Sequence, residues 1–480
     1  MKTSIRNVAL VASTLVDRTL RNWFDNLKTS CGLSSLRTSR RLSPLRKRAF
    51  SPCFQAAEVC EERRLLSAGA LDPTFGSSGL VSTTVAGFDN AYAVATYPAG
   101  TANAGKVVAV GTATMTKGTT TYNELAVVRY NLDGTLDTSF GGTGEVTTIL
   151  TSVRQGGCAR DVEIQPDGKI VVAGKAFPGF ALVRYNADGS LDTSFGGSGT
   201  GIVVTSIGKN TSDEAYRLGL QTDGRIVVAG TTGANTNLAL VRYTSSGVLD
   251  SSFGTGGKVT TQFPSPLDFG GPSSTWIDLA LDTSPLDPNA GKIVVVSRLG
   301  TAGTPDVVAR YNTNGSLDKS FAGGAGYETL SNLTNVPSVA IQADGRIIVA
   351  GAHGAMELDR LNTDGSFDST FGLGGIVTVN VANSYDSYSI QDVTIASDGK
   401  ILVTGLADTN GVSESFFVMR LNSADGSLDT GFGAGGLAVT PGIYAFGTVG
   451  IALEPDGSIV VAGSQRTGSS ISGALARFLA

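Results

Sequence analysis

The stretch NADGSLDTSFGGSG, residues 186–199, has near-copies at 131–144 (NLDGTLDTSFGGTG), 312–326 (NTNGSLDKSFAGGAG) and 362–375 (NTDGSFDSTFGLGG). Its core, Leu/Phe-Asp-x-x-Phe, recurs with the aromatic at Phe75, Phe140, Phe195, Phe253, Phe321, Phe371 and Phe432. A phrase of this length repeated at intervals of tens of residues is the signature of a repeat architecture, and that decides the fold class before any single element is assigned.

Two further phrases keep step with it. An apolar run ending in arginine precedes every copy but the first, at Arg129, Arg184, Arg242, Arg310, Arg360 and Arg420, and occurs once more at Arg477. Upstream of that lies QPDGKIVVAG (165–174), repeated as QTDGRIVVAG, QADGRIIVAG, ASDGKILVTG and EPDGSIVVAG, with weaker copies AGKVVAVG and AGKIVVVS. Each unit then reads as four short strands. An alternating segment meets a Pro-Asp-Gly-type turn, and a β-branched run suited to burial on both faces follows. The Arg-Tyr strand is third, and the alternating segment after each Phe-Gly is fourth. Asn186 and Ser190 bracket a three-residue loop, in which Gly189 takes the left-handed position most cheaply. Asp192 is placed to accept backbone N–H groups from the bend, and Phe195 to wedge between units. Four strands per repeat describe a blade of a β-propeller, and seven copies predict an all-β, seven-bladed ring over residues 71–480.

The ring has a built-in asymmetry. The seventh copy stops at LARFLA (475–480), before any Leu-Asp-x-x-Phe phrase, while LDPTFGSSGLVSTT (71–84) stands in front of the first unit with no unit of its own. The N-terminal segment is therefore expected to supply the last blade's fourth strand. The Arg-to-Asp spacing of eight (Arg129/Asp137, Arg184/Asp192, Arg242/Asp250, Arg310/Asp318, Arg360/Asp368), or nine at Arg420/Asp429, predicts an ion pair in each unit. Arg477 has only Asp72 as its counterpart.

The three phrases together resemble the delta-60 repeat family, whose members are β-propellers of mostly unassigned function in exported bacterial proteins. The resemblance runs from Leu71 to Ala480. Residues 1–70 are different. They hold 13 Lys/Arg against 5 Asp/Glu, including RTSRRLSPLRKR (37–48), and no repeat phrase, so they read as a disordered basic leader. Glu62, Arg63, Arg64, Leu65 and Leu66, following that basic run, resemble the LEPR-XLL segment of planctomycete exported proteins, with Cys60 where Leu is usual. The resemblance implies export to the envelope or cell surface.

The composition limits the functional classes. Outside the leader there are 23 Lys/Arg and 36 Asp/Glu, an acidic surface that speaks against a nucleic-acid partner. The one cysteine of that region, Cys158, rules out an internal disulfide, and no C-x-x-C pair offers a zinc site. No apolar run is long enough to span a bilayer. The Asn-x-Asp-Gly turns lack the spacing of a calcium loop, and GTGGKVTT (254–261) lacks the Ser/Thr of a phosphate loop. His353 is the sole histidine, so a Ser-His or Cys-His nucleophile would have to use it. No metal or cofactor is expected.

A repeated residue is explained by the repeat, so a binding site is sought where copies differ. The fourth unit carries the largest departure, 262–291, with Trp276 near Asp268, Phe269 and Asp278. Loops into the first strands add Asp89, Tyr92, Asp213, Glu214, Tyr216, Tyr385, Asp386 and Tyr388, expected to face the central opening. The reading is a monomeric ring acting as a non-catalytic module for a polysaccharide or surface protein. The alternative is a propeller enzyme of lyase, glycosidase or metal-dependent lactonase type, using carboxylates at the channel.

Overall fold

The computed structural model describes residues 67–83, 87–117, 120–150, 157–208, 213–232, 237–263, 277–284, 289–298, 305–330, 333, 335–352, 355–379, 387–409, 413–441 and 443–480, all within the unit Leu65–Ala480. The expectations on residues 1–66 of the leader, on Trp276, Asp268, Phe269, Tyr385 and Asp386, and on His353 fall outside the described residues; residues 67–70, read as the end of the leader, are described and bond to the last units.

The described chain is all-β apart from two three-residue 3-10 turns. Unit two shows the plan. Its strands Cys158–Ile164, Ile170–Ala176, Gly179–Tyr185 and Ile202–Thr205 pair in sequence order, all antiparallel. The second strand has Ile170, Val171, Val172 and Ala173 completely buried, as expected of a run covered on both faces. Units one, three, four and five repeat the plan as separate four-stranded sheets. Units six and seven are joined into one sheet by a single bridge, Glu414↔Ala445. The first strands of the seven units are Phe88–Thr96, Cys158–Ile164, Glu214–Leu220, Ile277–Leu281, Asn335–Ile341, Ser387–Ile395 and Ala445–Leu453. Each packs on the first strand of the next unit, and that of unit one packs on that of unit seven.

The seventh sheet takes its fourth strand from the other end of the chain. Leu80–Thr83 pairs with Ser470–Phe478, in the register Leu80↔Ala476 to Thr83↔Gly473. The segment used begins ahead of Leu71, because Gly69 N–H donates to Leu479 O at 2.8 Å and Ala68 O accepts from Gly433 N–H.

The repeated corner is one device. In unit two, Asn186 N–H donates to Ser190 O and Gly189 closes the turn at φ +89°, where a Cβ would be strained. Asp192 Oδ1 accepts the Ser194 N–H and hydroxyl at 3.1 and 2.6 Å, and its Oδ2 takes Arg184 Nε at 2.8 Å. The Arg184 guanidinium lies 4.5 Å from the centre of the Phe195 ring. Phe195 is fully buried, touching residues of units two and three. The same ion pair forms at Asp137, Asp250, Asp318, Asp368, Asp429 and Asp72, between 2.7 and 2.9 Å. In each corner the arginine lies 4.3–4.8 Å from the ring centre of Phe140, Phe253, Phe321, Phe371, Phe432 or Phe75. Burial works against the charge on Asp137. Hydrogen bonds from Lys106 and Ser139 and the Arg129 charge outweigh it and hold this carboxyl well below the usual range.

Hydrogen bonds also tie unit to unit. The N–H after each corner phenylalanine donates to a turn carbonyl of the following unit: Gly141 to Asp188, Gly196 to Ser246, Gly254 to Asn314, Ala322 to Asp364, Gly372 to Asp425, Gly433 to Ala68, and Gly76 to Asp133. Third-strand tyrosines reach the preceding unit's fourth strand, as Tyr185 OH to Thr148 and Tyr130 OH to Thr83, both 2.6 Å.

Candidate functional site

The side chains that differ between copies gather on the first strands, and a register skip aims them. Pairing of first and second strands jumps one residue at Tyr92, Arg160, Tyr216 and Gln391, so each is the extra residue of a β-bulge. The skip explains the terminal glycine of the KIVVAG phrase. A Cβ on Gly174 would land on the carbonyl oxygen of Cys158, and the same clash arises at Gly111, Gly230 and Gly405 with Asn90, Glu214 and Ser389. Unit four carries Ser297 at this position, and there Ile277 pairs with Ser297 with no skip.

Three consecutive bulge residues meet. The Arg160 guanidinium lies 5.0 Å from the Tyr92 ring centre and 5.7 Å from that of Tyr216. Arg160 donates through Nε and Nη2 to Glu214 Oε1 at 3.0 and 2.7 Å, and Lys175 reaches Glu214 Oε2 at 3.0 Å. Arg160, Glu214 and Tyr216 are buried, whereas Tyr92 is partly exposed. Burial pushes both phenols up, so both stay neutral hydrogen-bonding groups at ordinary pH.

The next residue along each first strand is Ala93, Asp161, Arg217, Asp278, Ser338, Asp392 and Gly450 in turn. From unit two to unit seven these make a linked row. Asp161 Oδ2 accepts Leu218 N–H at 2.7 Å, and Arg217 Nε donates to Asp278 Oδ1 at 2.9 Å. Asp278 Oδ2 takes the Ser338 hydroxyl and Val339 N–H at 2.6 and 2.8 Å, and Asp392 Oδ2 takes Ile451 N–H at 3.1 Å. Each aspartate thus holds the backbone of the following unit. Burial pushes Asp161 up to about 6 and Asp392 up to about 7, against the pull of Arg217. Glu163, two residues beyond Asp161, rises to about 8 through burial and the Asp161 charge.

The residues singled out by sequence therefore separate. Tyr92 and Tyr216 come together through Arg160, and Asp278 belongs to the linked row. Asp213 is buried and serves a local loop, accepting Ile207 N–H at 2.7 Å and the Thr232 hydroxyl at 2.6 Å. Sequence reasoning missed Arg160, Arg217 and Ser338; their signal was variation at a fixed offset before the turn. It also missed the lysine or arginine after the turn glycine, which recurs in KIVV and RIVV. Among the described residues no three His, Cys, Asp or Glu side chains are grouped to hold a metal ion, and no helix is long and apolar enough to cross a membrane.

With repeated four-stranded antiparallel units, a common corner and first strands packed in succession, the chain is a β-propeller repeat protein. The model of a family described as domain of unknown function (DUF5122) beta-propeller matches it seven times, at residues 105–140, 165–195, 221–253, 291–321, 342–371, 396–432 and 454–480. No curated protein matches the chain. Similar solved structures include a protein of unknown function from Bacteroides caccae, 13% identical, covering 69% of this chain and 99% of that one at a TM-score of 0.35. Another is the calcium-binding protein regucalcin from Agrobacterium tumefaciens, 11% identical over 81% of this chain and 90% of that one, TM-score 0.33. A PL25 ulvan lyase is 12% identical over 54% and 70%, also at 0.33. At these scores none bears on what this chain binds.

Proposed function

We propose that the chain is an exported, non-catalytic binding propeller whose seven blades close into a monomeric ring and hold a polysaccharide at the Tyr92 end of the first-strand row. The observation that carries the non-catalytic reading is the commitment of the acids. The corner aspartates are all ion-paired, and Asp161, Asp278 and Asp392 each accept a backbone N–H of the next blade. A glycosidase or lyase needs carboxyl groups poised at the scissile bond. Closure is supported by Leu80–Thr83 on the last blade, by the Gly76–Asp133 bond into blade one, and by the Tyr130–Thr83 contact. Export rests on the resemblance of residues 58–72 to an export leader. A partly exposed tyrosine flanked by Arg160, Glu214 and Lys175 suits a hydroxyl-rich ligand, with the ring for stacking and the ions for hydrogen bonds.

The test is retention of the purified chain on immobilised polysaccharides, with reducing-end and unsaturated-product assays on the same samples. Retention without product, weakened at least fivefold by Tyr92→Ala, is expected. Product release would establish the enzymatic alternative, and retention by a protein surface alone would move the ligand class to protein.

A further inference from the structure

Six of the seven corners hold a second cation on the aspartate. The lysine or arginine after the turn glycine reaches it: Lys106 to Asp137 at 2.7 Å, Lys169 to Asp192 at 2.9 Å, Arg225 to Asp250 at 2.9 Å, Lys292 to Asp318 at 2.7 Å, Arg346 to Asp368 at 3.2 Å and Lys400 to Asp429 at 3.1 Å. In blade seven that residue is Ser458, too short to reach Asp72. The neighbouring position changes as well. Where blades two, three and five have Gln165, Gln221 and Gln342, blade seven has Glu454, 6% exposed. The Arg477 contacts of Glu454 are long, 3.4 and 3.5 Å. In the other corners two cations meet on the corner aspartate, and Lys169, Arg225 and Arg346 also reach their turn aspartates Asp167, Asp223 and Asp344; blade four has the buried Asp282 in the place of Glu454, but keeps Lys292 beside it. Blade seven alone has an acid at this position and no second cation, so that Arg477 stands between Asp72 and Glu454.

A cavity of about 450 Å3 opens here between blades seven and one, with Glu454, Asp456, Asp133, Arg477, Leu132 and Pro455 among its walls. Its counterpart between blades three and four measures about 330 Å3, and corresponding residues line it (Gln221 for Glu454, Asp223 for Asp456, Arg242 for Arg477, Asn314 for Asp133). In that counterpart Arg225, the corner's own second cation, is part of the wall.

We propose that the cavity between blades seven and one is a binding site for an alkylammonium group, which takes the place that the chain's own lysine or arginine fills in the other corners. Glu454 and Asp72 receive the ammonium, and Leu132 and Pro455 flank its methylenes. The acids at the mouth, Asp133 and Asp456, draw the cation in. The site is separate from the Tyr92 row, so either reading can fail without the other. The ammonium can come from a free polyamine or from a lysine side chain of a partner protein.

Isothermal titration of the full chain with putrescine, and separately with the peptide acetyl-Gly-Lys-Gly-amide, distinguishes the two sources and tests the site. Ser458→Lys, which restores the residue of the sister blades, is expected to abolish binding of either probe and to raise the melting temperature. Glu454→Gln, which installs the residue of blades two, three and five, is expected to weaken binding at least tenfold; circular dichroism melts verify that both variants fold. Binding unchanged in Ser458→Lys or in Glu454→Gln overturns the proposal, as does heat only from calcium chloride and none from either amine.

Discussion

Arg477 and Asp72 lie 405 positions apart in the chain and meet at 2.7 Å, in the same geometry that the other corners build from residues eight or nine apart. Both are buried. Neutralising Asp72 leaves a buried guanidinium with only the distant Glu454 carboxylate, and losing one partner of a buried pair costs roughly 3–5 kcal/mol. Glu454 offsets part of this, so Asp72→Asn is expected to lower stability by about 2–4 kcal/mol in urea unfolding. A chain beginning at residue 84 is expected to do worse. It leaves the last blade's third strand with an open edge, and should unfold over a broader urea range and aggregate. An unaltered transition in that truncation would refute the role given to the N-terminal strand.

The bulge glycines yield a paired prediction. Gly174→Ala drives a Cβ into the Cys158 carbonyl, and backbone atoms on both strands have to move. A loss of at least about 2 kcal/mol is expected, on the scale of other overpacked buried sites. Ser297→Gly in blade four is expected to be nearly neutral. That position has no skip, and the buried Ser297 hydroxyl has no hydrogen-bond partner to lose. Thermal melts of both variants decide it, and equal losses would show that the bulge does not require glycine.

These two cases show how far the sequence could be read. The corner was legible because every blade meets the same steric problem with the same residues, so Arg184, Asp192 and Phe195 recur at fixed offsets. The orphan copy at 71–84 was legible for the same reason. The linked row was not, because its members are Asp161, Arg217, Asp278, Ser338, Asp392 and Gly450, with no residue type in common; only pairing register and blade packing bring them together. Lys169 and its counterparts did recur, yet a lysine after a turn glycine reads as a solvated end until the corner geometry brings it to Asp192. That blade seven carries Ser458 where its sisters carry this cation gains meaning only after that.

Glu145 predicts a pH effect. It is buried, one carboxylate oxygen has no hydrogen-bond partner, and burial pushes it up to about 7 from the ordinary value near 4.5. Between those values the folded chain holds a proton that the unfolded chain has released, so this residue's contribution to stability falls as pH rises from about 4.5 through 7. Glu145→Gln removes the ionisation. The variant is expected to match the wild type near pH 4 and to exceed it by roughly 1–3 kcal/mol at pH 8. A constant difference across that range would mean that the carboxyl ionises as easily folded as unfolded.

Arg217 gives the sharpest test of the linked row. Its guanidinium is bonded to Asp278 and its charge restrains the upward push of burial on Asp161 and Asp392. With Arg217→Met, those carboxyls lose their cation and take up protons more readily in the folded state, over a wider pH span than the present rises to about 6 and 7. Protons held by the folded and not the unfolded chain make stability fall with rising pH. The variant is therefore expected to be destabilised already near pH 5, because Asp278 loses its Arg217 partner, and to fall behind by roughly a further 1–3 kcal/mol at pH 8, where Asp161 and Asp392 ionise without a cation. Urea unfolding of both proteins at the two pH values measures the gap. If Arg217 serves only as packing, the gap is the same at both, and the row is held by its backbone hydrogen bonds alone.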